Sequence, residues 1–174
     1  MAISLNRAVP DRHIAPMSPA RALVAMTRPS QIVLIWVVLA SGALLGLTRP
    51  DAGFDIWAVA VATLLVTGAS VAAHYVNEAE DAATDRLTER TGFSGGSGAL
   101  EASGVEPSVP LRMGLLVAGV VAVATGVAWL TGVVPGVAAA IVLVGLVGSL
   151  SYSLPPLAAM RHGWGEPLNA VLGG

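Results

Sequence analysis

The sequence predicts an all-α fold: a polytopic transmembrane helix bundle of about four complete spans and the start of a fifth. Three observations predict it. Hydrophobic residues make up 55% of the chain and charged residues 11%. The mean hydropathy is +0.75, which lies outside the range of ordinary soluble domains. Charge-free stretches recur at the roughly 20-residue length needed to cross a hydrocarbon core.

Residues 1–28 read as a cytosolic tail. Arg7 and Arg12 are not followed closely by a short apolar core and a small-residue cleavage site, so a signal peptide is not indicated. Within the tail, Ala20 to Met26 is a partly apolar stretch suited to the membrane surface. The transmembrane region, 29–174, then begins. Pro29 to Thr48 is uncharged and bracketed by Arg28 and Arg49, giving span one. A turn through Pro50, Asp51 and Gly53 leads into span two, Ile56 to Val76. Arg86 to Arg112 is polar, glycine-rich around Gly95-Gly96-Ser97-Gly98, and reads as a loop. Met113 to Met160 carries no Asp, Glu, Lys or Arg and is too long for one helix; Thr131-Gly132-Val133-Val134-Pro135-Gly136 divides it into spans three (111–130) and four (137–154). Pro155-Pro156 closes span four, because a residue before proline is pushed out of helical geometry. Pro167 to Gly174 reads as the opening of a fifth span, so the domain is expected to be incomplete at its C-terminal side.

The nine basic residues are all Arg, and the net charge of −2 argues against a nucleic-acid partner. The absence of Cys excludes disulfides and thiolate metal sites. By the span order, Arg7, Arg12, Arg21, Arg28, Arg86, Arg90, Arg112 and Arg161 fall on one side and only Arg49 on the other. The positive-inside rule therefore places the N-terminus in the cytosol of a multi-pass protein of the cell membrane.

Chemistry concentrates at Asn77-Glu78-Ala79-Glu80-Asp81-Ala82-Ala83-Thr84-Asp85. If the helix of span two continues, Asn77, Asp81 and Asp85 stack on one face over about 12 Å, at roughly 1.5 Å per residue. An amide and two carboxylates so arranged suit a hard cation such as Mg²⁺ holding a diphosphate. Acidic groups at a helix C-terminus face its partial negative charge, a penalty that a cation would remove. On spacing alone, a solvated acidic end of a membrane span is the competing reading. His74 lies outside that series and reads as a packed or hydrogen-bonded helix residue.

These residues resemble the UbiA-type membrane prenyltransferases. The resemblance rests on Asn77-x-x-x-Asp81-x-x-x-Asp85, on Arg28-Pro29 before span one, and on Tyr152-Ser-Leu-Pro-Pro-Leu157 with Gly163-Trp-Gly-Glu166 after span four. It implies an all-helical bundle of about nine spans with two aspartate-rich motifs over a central cavity; only the first motif is present in these residues. It implies Mg²⁺-dependent transfer of an isoprenoid chain from its diphosphate to an aromatic acceptor. Asn77, Asp81 and Asp85 would hold the metal, with Glu78 as a helper where many members carry Asp. Arg86 and Arg90 are phosphate donors on this reading and topology-setting Arg otherwise. Tyr152 is a cavity hydroxyl or an interfacial anchor. Ala158, Ala159 and Met160 stand where many members place Arg and Lys, so Arg161 is the candidate for that diphosphate contact. Arg90-Thr91 and Phe93-Ser-Gly-Gly-Ser-Gly98 look closest to the subgroup that prenylates dihydroxynaphthoate-type quinone precursors. The Asp-Gly and Ala-Arg pairs of CDP-alcohol phosphotransferases are not at the right distances. A cation transporter or a non-catalytic membrane subunit is the alternative from outside enzymology.

Overall fold

The computed structural model describes residues 15–49, 53–85 and 97–173. All their regular structure is helical: α1 (Pro19–Met26), α2 (Pro29–Leu47), α3 (Ile56–Glu80), α4 (Ala82–Asp85), α5 (Ala99–Ser103), α6 (Ser108–Leu130), α7 (Gly136–Ser153), a 3₁₀ turn (Ala159–His162) and α8 (Gly165–Gly173). Four of the helical stretches are long and apolar enough to cross a membrane. The protein is a polytopic helical bundle with the lipid bilayer as its solvent.

The helix ends follow local chemistry. Asp55 caps α3, its Oδ1 accepting the Trp57 and Ala58 N–H groups at 2.8 and 3.3 Å. Pro19 and Pro29 occupy the first turns of α1 and α2, where a missing N–H costs nothing. Arg28, between those helices, is left-handed with φ 52°, a conformation uncommon for a residue with a Cβ. Leu154 is extended ahead of Pro155 and ends α7. Two elements depart from the expected loops: α5 forms within the 86–112 segment, and the 3₁₀ turn follows the proline pair. Span two also runs a turn further than its apolar stretch, so Asn77, Glu78 and Glu80 are helical.

α3 is the central element. It packs against α6 and α7, and α2 and α1 attach to it. Leu65 and Ala72 meet Val121, Ala128, Val142 and Leu146 in the main core. Small residues set the separation: a Cβ built on Gly68 would stand 2.6 Å from Val121 Cγ2. One built on Gly114 would stand 2.9 Å from the Ala72 carbonyl oxygen. Close backbone approach through small residues is how helices pack where lipid supplies no hydrophobic drive. α2 buries only Ile32 and is tied to α3 by Trp36 Nε1, which donates to Thr67 Oγ1 at 2.8 Å.

Short connections between α2 and α3, and between α6 and α7, make both pairs antiparallel. The start of α2, the end of α3, the start of α6 and the end of α7 consequently share one end of the bundle. A second, small core closes that end, where Ala22 and Met26 of α1 meet Tyr75 and Ala99.

Candidate functional site

The site is built from the last turn of α3 outward. Val76 is fully buried against α6 and anchors the turn that carries Asn77 and Glu78. Asn77 Oδ1 accepts from Ser153 Oγ at 2.6 Å, joining the end of α3 to the end of α7. Glu78 is only 3% exposed. Its carboxylate accepts from the Ser97 N–H at 3.1 Å and the Ser97 hydroxyl at 2.5 Å. Arg28 Nη2 stands 3.7 Å from the same carboxylate. Glu80 faces the other way, where Arg161 Nη2 donates to its Oε2 at 2.9 Å and to its carbonyl oxygen at 3.3 Å.

The helix does not run unbroken through the acidic cluster. It closes at Glu80, with Asp81 as C-cap donating its N–H to the Asn77 carbonyl at 2.9 Å. α4 then restarts the helical path as a separate turn through Asp85. The stop leaves Glu78 and Glu80 in the last turn of α3, against its partial negative charge. Asn77 and Asp81 thus keep their one-turn spacing, whereas Asp85 is carried by a second segment. The Asp85 side chain, Arg86 and Arg90 lie outside the described residues.

Tyr152 is half-buried in α7 and packs on the start of α8: a Cβ on Gly165 would stand 3.1 Å from its Cε2 and 3.4 Å from its hydroxyl. Arg161 is about half exposed on the 3₁₀ turn. His74 is held inside the packing, with a buried Nε2 that has no hydrogen-bond partner. Ser97 and Ser153 were not singled out by spacing. Ser153 stands inside the Tyr-Ser-Leu-Pro-Pro-Leu stretch and Ser97 inside the glycine-rich one, and the sequence marks each only through its segment.

Among the described residues, no three His, Cys, Asp or Glu side chains form a metal-holding group. The donor set nevertheless has the right chemistry for a hard cation, because Mg²⁺ takes one or two protein carboxylates and completes its shell with water and phosphate oxygens. Asn77, with one of its carbonyl oxygen's two acceptor positions given to Ser153, and Asp81, half-buried one turn on, are oxygen donors of that kind. The Glu78 oxygens are already engaged. An apolar groove lined by Val61, Leu116, Val120, Val123 and Val127 runs along α6 toward the opposite end of the bundle, and no carboxylate lines it.

No family model, curated protein or solved structure matches this chain.

Proposed function

We propose that this chain works in Mg²⁺-dependent prenyl transfer, moving an isoprenoid chain from its diphosphate to an aromatic quinone-precursor acceptor at the cytosolic face of the cell membrane. One observation carries the reading. Three segments far apart in sequence meet at one end of the bundle, where Arg28 stands beside Glu78, Ser153 bonds Asn77 and Arg161 bonds Glu80. These are the segments on which the resemblance to UbiA-type enzymes rests. An ion path is less favoured, since the carboxylates gather at a helix end rather than at mid-membrane.

On this reading Asn77, Asp81 and Asp85 hold the cation. Bound there, Mg²⁺ supplies charge neutralisation of the diphosphate leaving group. Arg161 exchanges Glu80 for a phosphate oxygen, a charge-assisted hydrogen bond of the same kind, and Arg86 and Arg90 serve the same anion from the adjoining segment. Tyr152 borders the acceptor side. Departure of diphosphate breaks the allylic C–O bond, an aromatic carbon of the acceptor forms the new C–C bond, and the proton on that carbon passes to water, restoring the aromatic ring. Fixed charges aimed at the leaving oxygens provide the main rate term. The site also stands where lipid meets water, so an isoprenoid tail stays in the apolar phase while its diphosphate is presented to the acidic end.

The experiment is binding of geranyl diphosphate to the detergent-purified protein with and without Mg²⁺, repeated with Asp81→Asn. The expected result is binding that requires Mg²⁺ and weakens by about tenfold or more in the variant, while membrane insertion is unchanged. Binding that is indifferent to both chelation and the substitution overturns the proposal. Cation flux in vesicles without diphosphate binding supports transport instead.

A further inference from the structure

We infer that Glu78 is a positioning residue, which locks the α1–α2 elbow and the start of α5 onto the acidic end of α3 and stands outside the metal-ligand set. Its functional consequence rests on the reading above; the lock itself does not.

Both carboxylate oxygens are engaged, Oε1 by the Ser97 hydroxyl and Oε2 by the Ser97 N–H, with Arg28 beside Oε2. The chain of contacts closes on itself. The Ser97 hydroxyl accepts from the N–H of Ala99, the first residue of α5, at 3.1 Å. α5 holds the entry to α1, where the Met17 N–H donates to the Ala102 carbonyl at 2.9 Å. α1 is held to α3 by Tyr75, whose hydroxyl donates to the Leu23 carbonyl at 3.2 Å. The end of α1 leads into Arg28, which returns to Glu78. A buried carboxylate is tolerated when charge and hydrogen bonds compensate it, and here those partners belong to the protein. Asn77 and Asp81 share a helix face one turn apart; Glu78 is rotated about 100° from Asn77. A cation on that face therefore does not require Glu78.

The test compares wild type, Glu78→Gln, Glu78→Ala and Ser97→Ala, purified in detergent. Three quantities are read: amide hydrogen exchange of residues 15–28 and 97–103, affinity for Mn²⁺ alone, and affinity for inorganic diphosphate at saturating Mn²⁺. Glu78→Ala and Ser97→Ala are each expected to speed exchange in both segments by about tenfold. Mn²⁺ affinity should stay within about threefold, because neither change removes a ligand. Diphosphate affinity should fall by about tenfold, because the surroundings of the site lose their fixed position. A loss of about tenfold or more in Mn²⁺ affinity in Glu78→Gln with exchange unchanged makes Glu78 a ligand and overturns the inference. So does unchanged exchange of residues 15–28 in Ser97→Ala, the variant that carries the test if Glu78→Ala does not fold. A wild type that binds neither Mn²⁺ nor diphosphate sinks the functional reading, and the exchange data still decide the lock.

Discussion

Gly114→Ala is expected to destabilise the bundle although alanine is the better helix former. The added Cβ would stand 2.8 Å from Val76 Cγ2, 2.9 Å from the Ala72 carbonyl oxygen and 3.2 Å from Tyr75 Cβ. A valine methyl can rotate away, but the carbonyl belongs to the helix ladder of α3 and cannot. α6 must therefore move off α3 by roughly half an ångström, an overpacking cost of about 1–3 kcal/mol. Alanine returns about 1 kcal/mol of helix propensity, which leaves a net loss of about 0–2 kcal/mol. Gly126→Ala on the same helix is the control, since nothing lies within 4 Å of its added Cβ. It retains the propensity gain alone. The two variants should thus differ by about 1–3 kcal/mol, or roughly 3–9 °C in melting temperature by the scaling for chains of this size. Thermal unfolding in one detergent measures both. Equal stability of the two proteins would refute the close approach of α6 and α3, and with it the geometry that sets Val76 beneath Asn77.

Trp36→Phe should loosen α2, which has little else to hold it, by about 0.6 kcal/mol, the average for a hydrogen bond between membrane helices. The change should be seen as faster exchange in α2 with α3 unaffected. Arg161→Ala removes a half-exposed ion pair with Glu80 and should change stability by less than about 1 kcal/mol. On the proposed function the same variant lowers diphosphate affinity by about tenfold, read by titration in the presence of Mg²⁺. Unchanged affinity would remove Arg161 from the site and leave it as a tether of the 3₁₀ turn.

Much of the fold was legible because the signals are local. Whether a stretch such as Pro29–Leu47 can sit in hydrocarbon depends only on its own residues, and Pro155 or Asp55 acts on its immediate neighbours. The acidic end of α3 was legible for the same reason. What spacing could not supply was continuity through Asp81. One face through Asp85 required the helix to continue, whereas α3 closes at Glu80 with Asp81 as its cap and Asp85 falls on α4. Nor did the polar character of the 86–112 segment reveal α5, a five-residue helix whose N-cap is Gly98, whose first N–H bonds the Ser97 hydroxyl, and which packs against α1.

Sequence alone determined the class of protein, the number and approximate ends of the spans, and the place where polar chemistry collects. Tertiary structure decided which residues meet there. The apolar helices of this chain resemble lipid on every side, so hydropathy cannot tell the face of α6 that meets α3 from the face that meets the membrane. The packing makes that distinction, through close backbone approach at Gly68 and Gly114 and burial of Ala118, Val121 and Ala128. Likewise, nothing in the spacing of Arg28, Glu78 and Ser97 joins them. They are brought together because α1, α3 and α5 share one end of the bundle, where a buried carboxylate must find partners in the protein.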